Sequence, residues 1–290
     1  MRPSILLFGM VLLAHAMPAQ AAERRSGGKL RMTDGVSSVE GAAGGGLAAW
    51  AVIGGSETRD GIGGSAHATI VALPDFDLKT AGFGLGINDS VELSYAYQRF
   101  DTRRAGAALG LGRGFTFGQH ILSGKLRIAG DAVWEQDRWL PQIAIGVQHK
   151  IAERGAVIRL VGGRASSGTD VYASATKVLL AQSLVVDATV RWTKANQFGL
   201  LGFGGDRRRG RSAQFEGSAG WLATPSLLLG AEVRTKPDNL AFAREQRAID
   251  AFAAWAVARH LSVTAAYVDL GDIATFRNQH GWYLSGQAGF

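Results

Sequence analysis

The residues able to do chemistry are few and scattered. His15 lies in an N-terminal apolar stretch, and His67, His120, His149, His260 and His280 show no His-Glu-x-x-His spacing. None of them accompanies a Gly-x-Ser-x-Gly nucleophile elbow. The chain has no cysteine, which removes thiolate metal sites, Cys nucleophiles and disulfide scaffolds together. The string Gly41-Ala42-Ala43-Gly44-Gly45-Gly46 lacks the Gly-Lys-Ser/Thr ending of a phosphate loop. No catalytic residue, metal ligand or cofactor is therefore assigned. What recurs is charge set at alternate positions inside apolar segments: Glu92, Lys125, Arg127, Asp187, Arg191, Glu232 and Arg234. Charges so spaced need elements with one polar and one apolar face.

Those elements are strands, because the rhythm from about Leu47 onward has period two. Leu184, Val186, Ala188, Val190 and Trp192 share one face, with Asp187, Thr189, Arg191 and Thr193 opposite. Val91, Leu93, Tyr95 and Tyr97 oppose Glu92, Ser94 and Gln98, and Leu122, Gly124, Leu126 and Ile128 oppose Ser123, Lys125 and Arg127. Leu229, Ala231 and Val233 oppose Glu232 and Arg234. The segments run about ten residues, the length a tilted strand needs to cross a bilayer, where soluble strands cluster near 5–6. Hydrocarbon offers no hydrogen-bond partners, so a membrane-crossing sheet must close on itself. The expected fold is all-β, a single-chain antiparallel transmembrane β-barrel. The 40 glycines among 290 residues suit tight turns and closely packed, curved strands. Most of the seven tryptophans fall near candidate strand ends, as interfacial girdle residues do.

Both chain ends agree with that fold. Arg2, the apolar run Ile5–Leu13 and the small-x-small Ala19-Gln20-Ala21 read as a secretory signal over residues 1–21. Residues 22–46 read as a flexible Gly-rich entry segment and 47–290 as the barrel. The last strand alternates Trp282, Leu284, Gly286, Ala288 and Phe290 with Tyr283, Ser285, Gln287 and Gly289. A chain ending in Phe on the apolar face of such a strand resembles the C-terminal signature of Gram-negative outer-membrane barrels, here carried by Trp282, Leu284 and Phe290. Candidate strands centre near residues 50, 68, 83, 95, 125, 145, 160, 174, 189, 217, 231, 253, 266 and 286. That gives about 14, bracketed by 12 and 16, an even number as bacterial barrels require. Counted back from a periplasmic Phe290, the rule of short inner and long outer connections fails at Phe100–Gln119 and at the tight Asn88-Asp89 turn. Asp238–Ala258 reads as a short helix followed by a strand.

Asp137-Arg138-Trp139-Leu140-Pro141-Gln142, the run Thr193–Asp206, Lys236-Pro237-Asp238-Asn239-Leu240 and Tyr267-Val268-Asp269-Leu270-Gly271 resemble an uncharacterised family, a domain of unknown function, of Gram-negative outer-membrane β-barrel-like secreted proteins. The resemblance covers nearly the whole mature chain. It implies a barrel in the outer membrane and no known activity, so no functional residue is carried over from it.

Function is thus read from the faces. The seven alternating charges facing a lumen are nearly balanced in sign, which suggests a passive channel or uptake pore for small solutes. The alternatives are a sealed structural or interaction barrel and, less favoured, a hydrolase with a Ser-His pair on the barrel wall. In a hydrated lumen Thr189→Arg should be far milder than Val186→Arg on the lipid face. The basic excess, +7 overall, gathers in loops. Arg207, Arg208, Arg209 and Arg211, with Lys194, Asn196 and Gln197, form an outward-facing loop suited to lipopolysaccharide phosphates. Partners expected are outer-membrane lipid and the barrel-assembly machinery, with no nucleic acid, since no basic helix or aromatic-basic platform accompanies the charge.

Overall fold

The computed structural model describes Lys29, Met32, residues 35–56, Arg59 and residues 61–290 apart from Gln136. The expected signal, residues 1–21, lies outside the described residues. Two short strands, β1 (Val36–Ser37) and β2 (Ala43–Gly44), form a small antiparallel pair. Twelve longer strands follow: β3 (Ile62–Ala72), β4 (Asp77–Ile87), β5 (Val91–Asp101), β6 (Thr116–Ala129), β7 (Gln142–Ala152) and β8 (Ser167–Leu179), then β9 (Leu184–Thr193), β10 (Ser212–Thr224), β11 (Leu227–Arg234), β12 (Ala248–Ala258), β13 (Leu261–Asp269) and β14 (His280–Gly289). Each pairs antiparallel with its sequence neighbours, and β14 pairs with β3 to close the barrel. Phe290 continues that seam, exchanging backbone hydrogen bonds with Gly64 at 2.7 and 2.9 Å. No edge strand remains exposed in the barrel, the condition for a sheet in hydrocarbon.

The alternation expected from sequence is visible strand by strand. Along β9 exposed and buried residues alternate without a break: Leu184, Val186, Val190 and Trp192 face outward, while Asp187, Thr189, Arg191 and Thr193 are buried. The outer surface is a band of large apolar residues including Ile70, Phe83, Leu93, Leu122, Ile145, Phe215 and Leu284, and six of the seven tryptophans are exposed. Trp282, Leu284 and Phe290 all lie on this face.

Twelve of the fourteen candidate strands are wall strands. The two that are not sit near residues 50 and 160. Residue 160 ends a short helix, α2 (Gly155–Leu160), in a connection, and Trp50 lies inside the barrel. With no strand at 160, every strand before it runs opposite to the direction expected from sequence. The connections 73–76, 102–115, 153–166, 194–211, 235–247 and 270–279 then share one end, while 88–90, 180–183, 225–226, 259–260 and the longer 130–141 share the other with Phe290. The conflict at Phe100–Gln119 and Asn88-Asp89 disappears. The connection 102–115 carries the one-turn α1 (Ala105–Ala108) and no additional strand. Residues 238–247 contain no helix, and β12 begins at Ala248. The expected helix fails there because the Asp238 side chain closes the segment on itself through Glu245 N at 3.2 Å, and Asp206 of the neighbouring connection takes Ala241 N at 2.9 Å.

Candidate functional site: the lumen and the segment that fills it

Residues 35–53 are buried throughout and lie within the lumen. The boundary expected at residues 46 and 47 therefore falls inside one continuous lumenal segment, and the expected flexible segment is packed from residue 35 onward. Its residues form almost no regular structure, so its backbone donors and acceptors need partners from elsewhere. The wall side chains supply them. Glu92 on β5 accepts from Ala43 N at 3.0 Å and Gly54 N at 2.8 Å. Glu232 on β11 accepts from Leu47 N at 2.7 Å, and Glu216 on β10 from Ala49 N at 3.0 Å. Lys125 on β6 donates to Ala43 O at 3.0 Å and Val52 O at 2.8 Å, and Arg234 to Leu47 O at 3.0 Å. Thr189, Ser174, Gln142, Gln98 and Thr176 bond the backbone at Ala49, Ala51 and Val39. Trp50 Nε1 donates to Ser218 Oγ at 2.9 Å, which places it in the lumen and not in an interfacial girdle.

One side chain of the segment carries a charge into this wall. Glu40 is 1 % exposed and meets Lys150 on β7 and both Arg191 and Arg234, the last through two hydrogen bonds of 3.0 and 3.1 Å. Arg191 also binds Glu216 and stacks 4.8 Å over the Tyr172 ring. Burying a carboxylate among three cations is tolerable only when each is paired and hydrogen-bonded. Without Glu40, Lys150 would rest on Asp170 alone, and Arg191 and Arg234 would share Glu216.

The glycines of the segment permit this closeness. A Cβ on Gly45 would collide with the Glu232 carboxylate, and Gly41, at φ +90°, would bring one within 2.9 Å of the Ala96 Cβ.

Each predicted site residue can be placed. Glu92, Lys125, Asp187, Arg191, Glu232 and Arg234 are buried and face the lumen. Arg127 sits half-buried at the short-turn rim, paired with Asp89 at 2.7 Å and Asp131 at 3.4 Å. The near balance of charge was incomplete. Lys150, Asp170, Glu216 and Asp250 are buried on the same face, so buried wall carboxylates outnumber buried wall cations. The acidic excess matches the lumenal segment's backbone N–H groups, which three of these carboxylates accept. Among the loop residues, Arg207, Arg208, Arg209 and Arg211 are exposed, Arg207 being paired with Asp238 at 2.7 Å. Asn196 and Gln197 are buried, contrary to the outward placement expected of them. Asn196 Nδ2 donates to Leu201 O and Gly204 O, because the connection turns inward over the lumen and the carbonyls of its tight bend need an internal donor. Lys194 is half-buried.

Above the segment, at the long-connection end, lies a cavity of about 380 Å³. Val39 and Leu47 contribute to its lining from below, and Phe76, Phe100, Phe117, Leu200, Leu270 and Ile273 to its sides. Phe198 also lines it, with Arg234 at 4.6 Å and Lys236 at 5.5 Å from its ring centre. Lys236 is held by Glu245 at 3.1 Å. Burial pushes the Glu245 carboxyl above its ordinary range, while Lys236 and the Gln197 N–H pull the other way.

A closed twelve-stranded antiparallel barrel, apolar outside and polar inside, is an outer-membrane-type β-barrel, here with its lumen filled by its own N-terminal segment. The chain belongs to the DUF3034 family, described as proteins of unknown function, whose model matches residues 33–287. No curated protein matches it. Among solved structures it is similar to the KdgM porin in complex with disordered oligogalacturonate, at 8% identity over 78% of this chain and 99% of that one, TM-score 0.52. It is also similar to the NanC porin, at 9% identity over 78% and 98%, TM-score 0.50. At these identities the likeness is one of fold.

Proposed function

We propose that the protein resides in the outer membrane, exported by cleavage after residues 1–21, and acts as an uptake barrel for small solutes that residues 35–53 hold closed. The observation that carries this reading is the wiring of the lumenal face to the backbone of that segment. The wall groups that make these contacts are polar or charged, so water can hydrate them once the segment has left, whereas a lumen lined to hold a purely apolar plug would resist hydration. The open chamber above the segment favours uptake over a sealed structural barrel, which has no use for an unfilled space facing outward. Arg208, Arg209 and Arg211 would meet lipopolysaccharide phosphates at the same end.

Planar-bilayer recording tests the proposal. Wild-type protein should be silent or nearly so, and a chain lacking residues 35–53 should show discrete conductance steps. A folded deletion variant that never conducts would favour the sealed barrel, and steady large steps from the wild type would contradict closure by this segment.

A further inference from the structure

We propose that the chamber at the long-connection end binds a small uncharged molecule with an apolar body and a single hydroxyl donor. This names the solute class of the uptake reading and rests on that reading only for what the binding serves. The cavity, about 380 Å³, falls within the range of small-molecule sites, and its walls are mainly phenylalanine, leucine, isoleucine and valine. The charge around it argues against an anion. Among the described residues, no lysine, arginine or histidine lines the chamber, and its one carboxylate is Asp206. Arg234 and Lys236 lie against the lining residue Phe198 and are engaged by Glu40 and Glu245. A ligand carboxylate entering here would lose its hydration and gain no partner.

Among the described residues, two side chains of the lining hold a polar atom without a partner, the Tyr283 hydroxyl and Gln98, and of the two only the Gln98 oxygen requires a donor. The Gln98 side chain is 1 % exposed and lines the chamber, and its amide nitrogen donates to Val39 O at 2.7 Å, leaving Oε1 without a hydrogen-bond partner. A buried acceptor left open beside an apolar cavity suits a ligand that brings one donor. A hydroxyl does so without adding charge. Because Gln98 also holds the backbone at Val39, the same residue would touch both the ligand and the segment beneath it.

The test uses full-length mature protein in lipid nanodiscs, with empty nanodiscs subtracted, and radiolabelled decan-1-ol, decanoate and decane as probes. Wild type should retain decan-1-ol saturably. Leu109→Trp, which places bulk at a half-exposed lining position, should abolish retention while keeping heat-modifiable migration. Gln98→Leu should weaken decan-1-ol about tenfold and leave decane unchanged, the loss of one hydrogen bond. Decanoate binding tighter than the alcohol at neutral pH would overturn the proposal. So would retention equal to that of empty nanodiscs, or retention unaffected by Leu109→Trp. Binding is read without transport, so saturable alcohol retention by a barrel that never conducts would uphold the site and sink the uptake reading.

Discussion

The two faces of each wall strand meet different solvents, and only one of them is a fluid. Outside, Val186 and Val190 on β9 lie in a band of apolar residues that any lipid chain can cover. Inside, Thr189 and Arg191 on the same strand meet particular atoms: Ala49 O, the Gln148 amide, and the carboxylates of Glu40 and Glu216. A polar lumenal face is usually taken as matched to water. Here it is matched to a peptide backbone, donor for acceptor, so the lumen should behave energetically as a core.

The largest expected effect breaks that core. Glu40→Ala leaves Lys150, Arg191 and Arg234 short of a buried counter-charge, and should cost about 3–5 kcal/mol in a urea titration of the folded barrel in lipid. Next come paired substitutions on β9. Val186→Arg should cost about 2–4 kcal/mol if Val186 lies near the midplane. The sequence alone made Thr189→Arg mild, but Thr189 is fully buried and donates to Ala49 O at 2.7 Å, so in the intact chain it should be comparably damaging. In a chain lacking residues 35–53 its penalty should fall well below that of Val186→Arg, which should not change. Equal penalties for Thr189→Arg with and without the segment would show that the lumen is not filled as described.

A smaller effect belongs to the short-turn rim. Burial raises the Asp131 carboxyl, but the N–H groups of Trp134 and Val133, with Arg59 and Arg127, hold it below its ordinary range. A depressed folded-state pKa stabilises above the unfolded carboxylate value near 4 and loses that contribution as pH falls through the folded value. Wild type should therefore exceed Asp131→Asn by on the order of 1 kcal/mol at pH 7, and the gap should close in acid. A gap that widened below pH 4 would refute the assignment. Smallest of all, Arg207→Ala removes an exposed pair with Asp238 and should change stability by less than about 1 kcal/mol.

How much was readable follows from what each residue faces. Wall strands face two different environments, so period two was written into them, and twelve of the fourteen candidate centres lie on wall strands. Lys150, Asp170, Glu216 and Asp250 follow that same rhythm in β7, β8, β10 and β12, and an extension of the alternation to those strands finds them. Residues 47–53 are buried on every side, so their apolar run Leu47–Ile53 has no period to reveal that it is not a strand. Glu40 stands beside a glycine string with no neighbouring pattern, and its three cations come from strands more than 100 residues away. No local signal could have joined them. The run around residue 160 misleads for a different cause: Val157 lines the chamber, Ile158 is buried and Leu160 is exposed at its rim, which gives a short helix the apolar content of a strand.

The most direct test is amide hydrogen exchange of full-length mature protein in lipid nanodiscs, read peptide by peptide by mass spectrometry. Backbone N–H groups held by Glu92, Glu216 and Glu232 should exchange only when the segment leaves the lumen. Residues 43–53 should then be protected to a degree approaching β9, with residues 206–210 exchanging rapidly. Exchange across 43–53 as fast as in that exposed connection would contradict the account, because a lumen that does not hold its segment cannot be closed by it.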